Sequence, residues 1–191
     1  MKLGPLQPLP YWLAALLVMA VPLAAAMAEE AAPKGFATGP LLKDYGPHAP
    51  VEMDTPLPAD MELAVTFDVA KGDAGALNRT LVSAARFINM HAANGVDPEN
   101  IRAAVVVHGA AVFDMANDAA YARKYPDQKR NPNAELIAAL TWQGVDIIIC
   151  GQSAAGQGLA KSELLPDVTM DLSAMTAHAR LQQAGYTLNP F

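Results

Sequence analysis

The chain has 191 residues, with 19 acidic and 13 basic side chains and a formal net charge of −6. Such an acidic chain lacks the basic surface that nucleic acid or an anionic membrane requires, so we expect neither as a partner. Just over half of the residues are hydrophobic and a single one is cysteine, which predicts a sizeable globular core and excludes an internal disulfide.

Segment 1–28 has the pattern of an export signal. Lys2 precedes an apolar stretch at 12–20, and Ala26-Met27-Ala28 supplies the small residues that signal peptidase selects. A retained membrane anchor is the alternative, but the apolar segment is barely long enough to span a bilayer and a proline interrupts it. We therefore predict cleavage after Ala28, a periplasmic or secreted product, and no stable membrane insertion afterwards.

Segment 29–60 is rich in proline, which is incompatible with regular helix or central strand over most of its length. We expect an extended, partly disordered arm. Its apolar residues can lie across the domain or across a neighbouring subunit; they are Phe36, Leu41, Leu42 and Tyr45.

The folded domain is predicted at 61–191, where strand and helix patterns alternate. Apolar alternation or β-branched content predicts strands at 63–69, 101–107, 145–150, 168–172 and 186–188. Helical spacing of Leu77, Leu81, Ala84, Ala85 and Ile88 predicts a helix that stops near Asn94-Gly95. Further helices are expected at 114–125, from an Asn131 N-cap to Gly144, at 159–165, and from Ser173 or Thr176 to Gly185. This alternation predicts an α/β fold, a small three-layer domain with a mainly parallel sheet of four or five strands.

Cys150 ends the predicted third strand and precedes the small, glycine-rich segment 151–158. Backbone N–H groups at such a turn favour a thiolate, so Cys150 is a candidate sulfur nucleophile or acceptor. The alternative is a buried cysteine that packs as a small hydrophobe. Gly151, Gln152 and Ser153 can form an anion-binding loop or simply a tight turn. No nucleotide-binding glycine pattern is present.

His108 ends the predicted second strand, on the same sheet edge as Cys150. It can act as the base or counter-charge of the thiol, or it can bond a neighbouring loop or subunit. Asn131 and Asn133 are expected to shape a loop. Without paired cysteines or His-x-x-x-His, we expect no metal and no cofactor. We interpret Asp114, Asp118 and Glu135 as solvated, and Tyr121, Tyr125 and Trp142 as core or subunit-contact residues.

An ordered set of local segments occurs between residues 61 and 191. They are Val105–Gly109, Asn131-Pro132-Asn133, Gly144-Val145 with Cys150–Ser153, Leu164–Val168, Ser173–Thr176 and Leu181–Tyr186. In this order they resemble the DsrE/DsrF-like (YchN-like) family of sulfur-relay proteins. The resemblance implies a small α/β domain, a homo- or hetero-oligomer such as a trimer or hexamer, and in some members a persulfide on a strand-end cysteine. Cys150 has that position. The predicted export and the arm depart from the family's cytoplasmic relay members.

The leading prediction is a periplasmic sulfur carrier, more than a turnover enzyme, that holds sulfane sulfur as a persulfide on Cys150. Its partners would be a small sulfur compound or a sulfur-carrier protein. The alternative is a non-catalytic module for small-anion binding or oligomeric assembly, in which Cys150 is structural.

Overall fold

A computed structural model describes Met1 and residues 34–189. The predicted signal segment beyond Met1 and the first residues of the arm lie outside the described residues. Within the described part of the chain, no helix is both long and apolar enough to cross a membrane.

The centre of the fold is a five-stranded sheet in which every pair of neighbouring strands is parallel. The strand order is β4-β3-β2-β1-β5. The strands are β1 Leu63–Val69, β2 Ile101–Val107, β3 Asp146–Cys150, β4 Val168–Asp171 and β5 Thr187–Asn189. The predicted parallel α/β sheet is therefore confirmed, and each strand lies within a residue or so of its predicted position.

Helices cover both faces of this sheet, as the three-layer prediction requires. The α-helices are α1 Arg79–Ala93, α2 Asp118–Lys124, α3 Ala134–Trp142, α4 Gly151–Gly156 and α5 Ala174–Gln183. Short 3₁₀ helices span Pro98–Asn100, Gly109–Met115 and Lys161–Glu163. The larger core packs on one face around Phe67, Val105 and Ile147. On the other face, α5 packs its Ala177 and Leu181 against β2. Residues 68, 108 and 150 alternate with the larger core and so lie toward the α5 face.

Side-chain caps fix where several helices begin. Asn78 accepts a hydrogen bond from the N–H of Thr80 at 3.0 Å, and Ser173 accepts one from Thr176 at 3.1 Å. The prediction that Asn131 caps α3 is wrong: Asn133 holds that position, and Asn131 instead bonds the preceding loop. Leu77 precedes α1 and is exposed, because the helix begins two residues later than its apolar spacing indicates.

The described part of the arm folds back on itself and packs against α1. Ala37 and His48 form an antiparallel bridge, and the Leu42 side chain is buried. Asn89 of α1, which is fully buried, accepts from the N–H of Leu42 at 2.9 Å and donates to the carbonyl of Tyr45 at 2.8 Å. An extended segment was expected here. The structure shows a loop instead, because one buried amide pairs with several of its backbone groups.

Candidate functional site

Cys150 is the last residue of β3 and the N-cap of α4. It lies at the carboxyl edge of the parallel sheet, where ligands bind in open α/β folds. The residue is only 6% exposed and is not in a disulfide. Cys150 pairs in register with Asp171 of β4, so the turn from β4 to α5 passes close to the thiol.

Hydrogen-bond donors from two helix starts converge on the Cys150 sulfur. The N–H of Ser153 lies 3.4 Å from Sγ. Burial opposes ionisation of this thiol, but bonds from the Ser153 hydroxyl and from the N–H groups of Ser153, Ala174 and Gln152 outweigh it. The pKa of Cys150 consequently lies below its ordinary value. The N–H groups of the candidate anion loop thus bond the sulfur of Cys150 itself.

Gly151 lets the β4–α5 turn approach this sulfur. A Cβ at position 151 would lie 2.8 Å from the carbonyl oxygen of Asp171 and 3.3 Å from that of Leu172. Real side chains avoid such distances, so the close packing of this turn against α4 depends on glycine. The N–H of Ala174 reaches the thiol from the same turn.

Ser153 connects the thiol to the turn after β2. Its Oγ accepts from the N–H of Gly109 at 3.0 Å. A second link joins the same two segments, since the Gln157 side-chain amide donates to the Gly109 carbonyl. The Ser153 hydroxyl keeps its one proton for donation, and its interaction with the sulfur lowers the pKa of Cys150.

His108 lies one residue beyond the paired positions Val107 and Ile149, so it occupies the sheet position beside Cys150. Its described hydrogen bond, however, runs from Nε2 to Oδ2 of Asp68 at 3.0 Å. Among the described contacts of Cys150, the sulfur bonds Ser153, Ala174 and Gln152 and not His108. The structure therefore brings His108 next to the thiol without a direct bond between them.

Asp68 also binds a second histidine, His178 of α5, with Oδ1 2.8 Å from Nε2. Burial acts to raise the pKa of Asp68, but the hydrogen bonds from His108 and His178 outweigh it and lower that pKa. Neither Asp68 nor this role of His178 was predicted from the sequence. The available signal was a carboxylate in the penultimate position of a strand that neighbours the His108 strand.

The prediction that Asp114 is solvated is wrong, because the residue is only 1% exposed. Its Oδ2 accepts from Nδ2 of Asn78 at 2.8 Å. Burial, together with the nearby charge of Asp73, raises the pKa of Asp114 to about 6, against the opposing bond from Asn78. Asn131 supports the same region by donating to the carbonyl oxygens of Asp114 and Ala116.

The remaining predicted residues belong to α2 and α3 rather than to this sheet edge. Asp118 and Glu135 are exposed, as expected, and Tyr121 is buried. Trp142 is 87% exposed and so is not in the core. In the described part of the chain, no three His, Cys, Asp or Glu side chains form a group that could hold a metal ion.

Comparison with known proteins identifies the family of this parallel α/β domain. The model of the DsrE/DsrF-like family matches residues 62–190. Protein MTH1491 of unknown function from Methanobacterium thermoautotrophicum has a similar structure, with a TM-score of 0.51 at 21% identity over 67% of this chain and 98% of that chain. The ychN protein from E. coli gives a TM-score of 0.47 at 15% identity over 68% of this chain and 100% of that chain. None of the curated proteins matches.

The fold is that of a small parallel α/β protein, with a cysteine at the end of its third strand. Because the family model covers well over half of the residues, the chain belongs to the DsrE/DsrF-like family. The predicted resemblance is thereby confirmed. Membership suggests a role related to sulfur relay.

Proposed function

We propose that this protein carries sulfane sulfur as a persulfide on Cys150. One observation carries the proposal: the Cys150 sulfur at the strand end accepts a hydrogen bond from the N–H of Ser153 at 3.4 Å, which favours the thiolate. A thiolate is the nucleophile that this chemistry requires. Family membership supports the same class of role.

The sulfur-transfer step needs no external oxidant. The Cys150 thiolate attacks a terminal sulfane sulfur of a polysulfide, so that one S–S bond forms as the adjacent S–S bond breaks. The electron pair of the broken bond leaves with the shortened polysulfide. The product, Cys–S–S⁻, keeps the negative charge near the donors of Ser153 and Ala174. Transfer to an acceptor thiolate reverses this exchange.

Intact mass tests the carrier function. Purified protein is incubated with polysulfide, and the same is done with C150S and with C150S carrying Ser162→Cys, an exposed position on the Lys161–Glu163 turn. We expect wild type to gain the mass of one sulfur atom, removable by reductant, and to load at lower polysulfide than the relocated cysteine. No gain, or equal loading at both positions, would contradict a site built for sulfur.

The low exposure of Cys150 favours a second candidate, a non-catalytic anion-binding or assembly module with a structural cysteine. Native-state labelling separates the two functions. A carrier thiol reacts with a small alkylating reagent in the folded protein, whereas a structural thiol reacts only after denaturation.

The N-terminal sequence pattern supports a location for the carrier, and the family resemblance supports its assembly. We infer export followed by cleavage after Ala28, which predicts a mature N-terminus at Glu29 in periplasmic extracts.

The sulfur source would be a small sulfur compound or a sulfur-carrier protein. We also infer a homo-oligomer, a trimer or hexamer, and light scattering of the purified protein measures this directly; a monomer at working concentration contradicts it.

A further inference from the structure

Asp68 binds two histidines that belong to separate segments around Cys150. Its Oδ2 lies 3.0 Å from Nε2 of His108, and its Oδ1 lies 2.8 Å from Nε2 of His178. Each histidine donates Nε2–H to its own carboxylate oxygen. An aspartate can accept both bonds, whereas an asparagine has only one oxygen with which to accept.

The first of these segments is α5. His178 lies four residues after Ala174, one helical turn along the same face of this helix. The N–H of Ala174, at the start of this helix, acts on the Cys150 sulfur and lowers the pKa of the thiol. A contact that fixes His178 over β1 therefore also fixes the start of α5 at the thiol.

The second segment is the turn after β2. His108 directly precedes Gly109, whose N–H donates to Ser153 Oγ, and the Ser153 hydroxyl donates to Cys150. A contact that fixes His108 therefore also holds Gly109 against Ser153. Both routes from Asp68 end at the same sulfur atom.

We propose that Asp68 is a positioning residue for Cys150, which holds two of the thiol's donors in place through His178 and His108. The inference deepens the proposed function and rests on it for its purpose, because a carrier thiol must ionise at neutral pH. Asp68 itself touches neither the sulfur nor, on this proposal, the sulfur donor.

The direction in which the pKa of Cys150 changes when Asp68 is removed separates a positioning role from a simple charge effect. At the carboxyl ends of the other strands, the charged groups on the α5 side are Asp68, paired with the two histidines, and Asp171, which accepts from Arg180 at 3.0 Å. As a negative charge alone, Asp68 disfavours the thiolate, so its removal would lower the pKa of Cys150. As a positioning residue it favours the thiolate, so its removal raises that pKa.

The test is the rate of Cys150 alkylation by iodoacetamide across a pH series, in folded wild type and D68N. We expect D68N to raise the apparent pKa and to slow alkylation at pH 7 by about three- to tenfold, with the rate at high pH retained. His178→Ala should behave like D68N, and His178→Gln, which keeps a side-chain N–H donor, should recover most of the rate. An unchanged or faster D68N profile overturns the proposal.

The matched control is Glu163→Gln, since Glu163 likewise accepts bonds from two groups, Arg123 and the N–H of Ala160. It should leave the alkylation profile unchanged. If D68N does not fold, the difference between the two His178 variants decides the matter, and equal profiles for them overturn the proposal.

Polysulfide loading of wild type is measured alongside. A wild type that takes up no sulfur while D68N is still slowed refutes the carrier function alone, whereas loading with an unchanged D68N profile refutes the role of Asp68 alone.

Discussion

Two opposing effects act on the thiol of Cys150. Burial disfavours the thiolate, and at 6% exposure the residue has little contact with water. Donors from Ser153, Gln152 and Ala174 replace that water and lower the pKa. The pKa of Cys150 depends on a few hydrogen bonds, so single substitutions should change it measurably.

Ser153→Ala should raise the pKa of Cys150, because it removes the hydroxyl donor and leaves the N–H of Gly109 without its partner. The weaker stabilisation of the thiolate should make alkylation about three- to tenfold slower at neutral pH. Ser83→Ala, which removes a hydroxyl bonded to the Arg79 carbonyl, is the control. Superimposable profiles for both variants and wild type would show that the hydroxyl does not act on the thiol.

Asp114 makes stability fall as the pH rises. Its pKa is about 6 in the folded protein and near its ordinary value of 3.8 when unfolded, so between these values the folded state binds more protons. Asp114→Asn removes this pH dependence of the stability. Wild type should therefore lose up to about 3 kcal/mol relative to D114N between about pH 4 and 7, as measured by urea unfolding. Asp127→Asn, at an exposed carboxylate, retains Asp114, so its stability should fall with rising pH as that of wild type does.

At the scale of elements, the packing of α4 against the β4–α5 turn brings two helix starts to one sulfur. Gly151 permits this packing, since a Cβ there would lie 2.8 Å from a backbone oxygen that cannot turn away. The sheet edge alone would not supply the N–H of Ala174. Element packing thus determines how many donors the thiol receives.

Gly151→Ala should destabilise the protein by about 1–3 kcal/mol and slow Cys150 alkylation, because the added methyl displaces the β4–α5 turn. Gly156→Ala in the same helix is the control. A Cβ there meets no atom within 4 Å, so this variant should be stabilised by about 0.4–1 kcal/mol. Denaturant unfolding and alkylation of both variants measure these effects, and equal stabilities would refute the close approach.

At the scale of the whole molecule, the buried side-chain amide of Asn89 bonds several backbone groups of the arm loop, and Nε of Arg86 adds a bond to the carbonyl of Pro47. Asn89→Ala should release this loop, because the N–H groups of Leu41 and Leu42 lose their acceptor. An unpaired buried donor costs about 1–3 kcal/mol. Trypsin should then cut faster after Lys43, an exposed residue of the loop. Asn94→Ala, which removes a bond to the Met90 carbonyl at the end of α1, should leave this cleavage unchanged.

Sequence patterns predicted the sheet well because strand signals are local. Alternating or β-branched runs place each strand, and the glycine-rich segment places the turn after Cys150. The features that were missed depend on residues far apart in the chain. Asp114 meets Asn78 across 36 positions, Leu42 meets Asn89 across 47, and Asp68 meets His178 across 110. No local pattern reports such contacts.

The distribution of these partners along the chain gives the site an order of assembly during synthesis. Cys150 is made before Ala174 and His178, which both belong to α5. A nascent chain that ends at β4 already contains the thiol and the turn of Ser153, but it lacks the second helix start and one of the two partners of Asp68. The cysteine therefore acquires its full set of donors only when the last helix has been synthesised and has docked on the sheet.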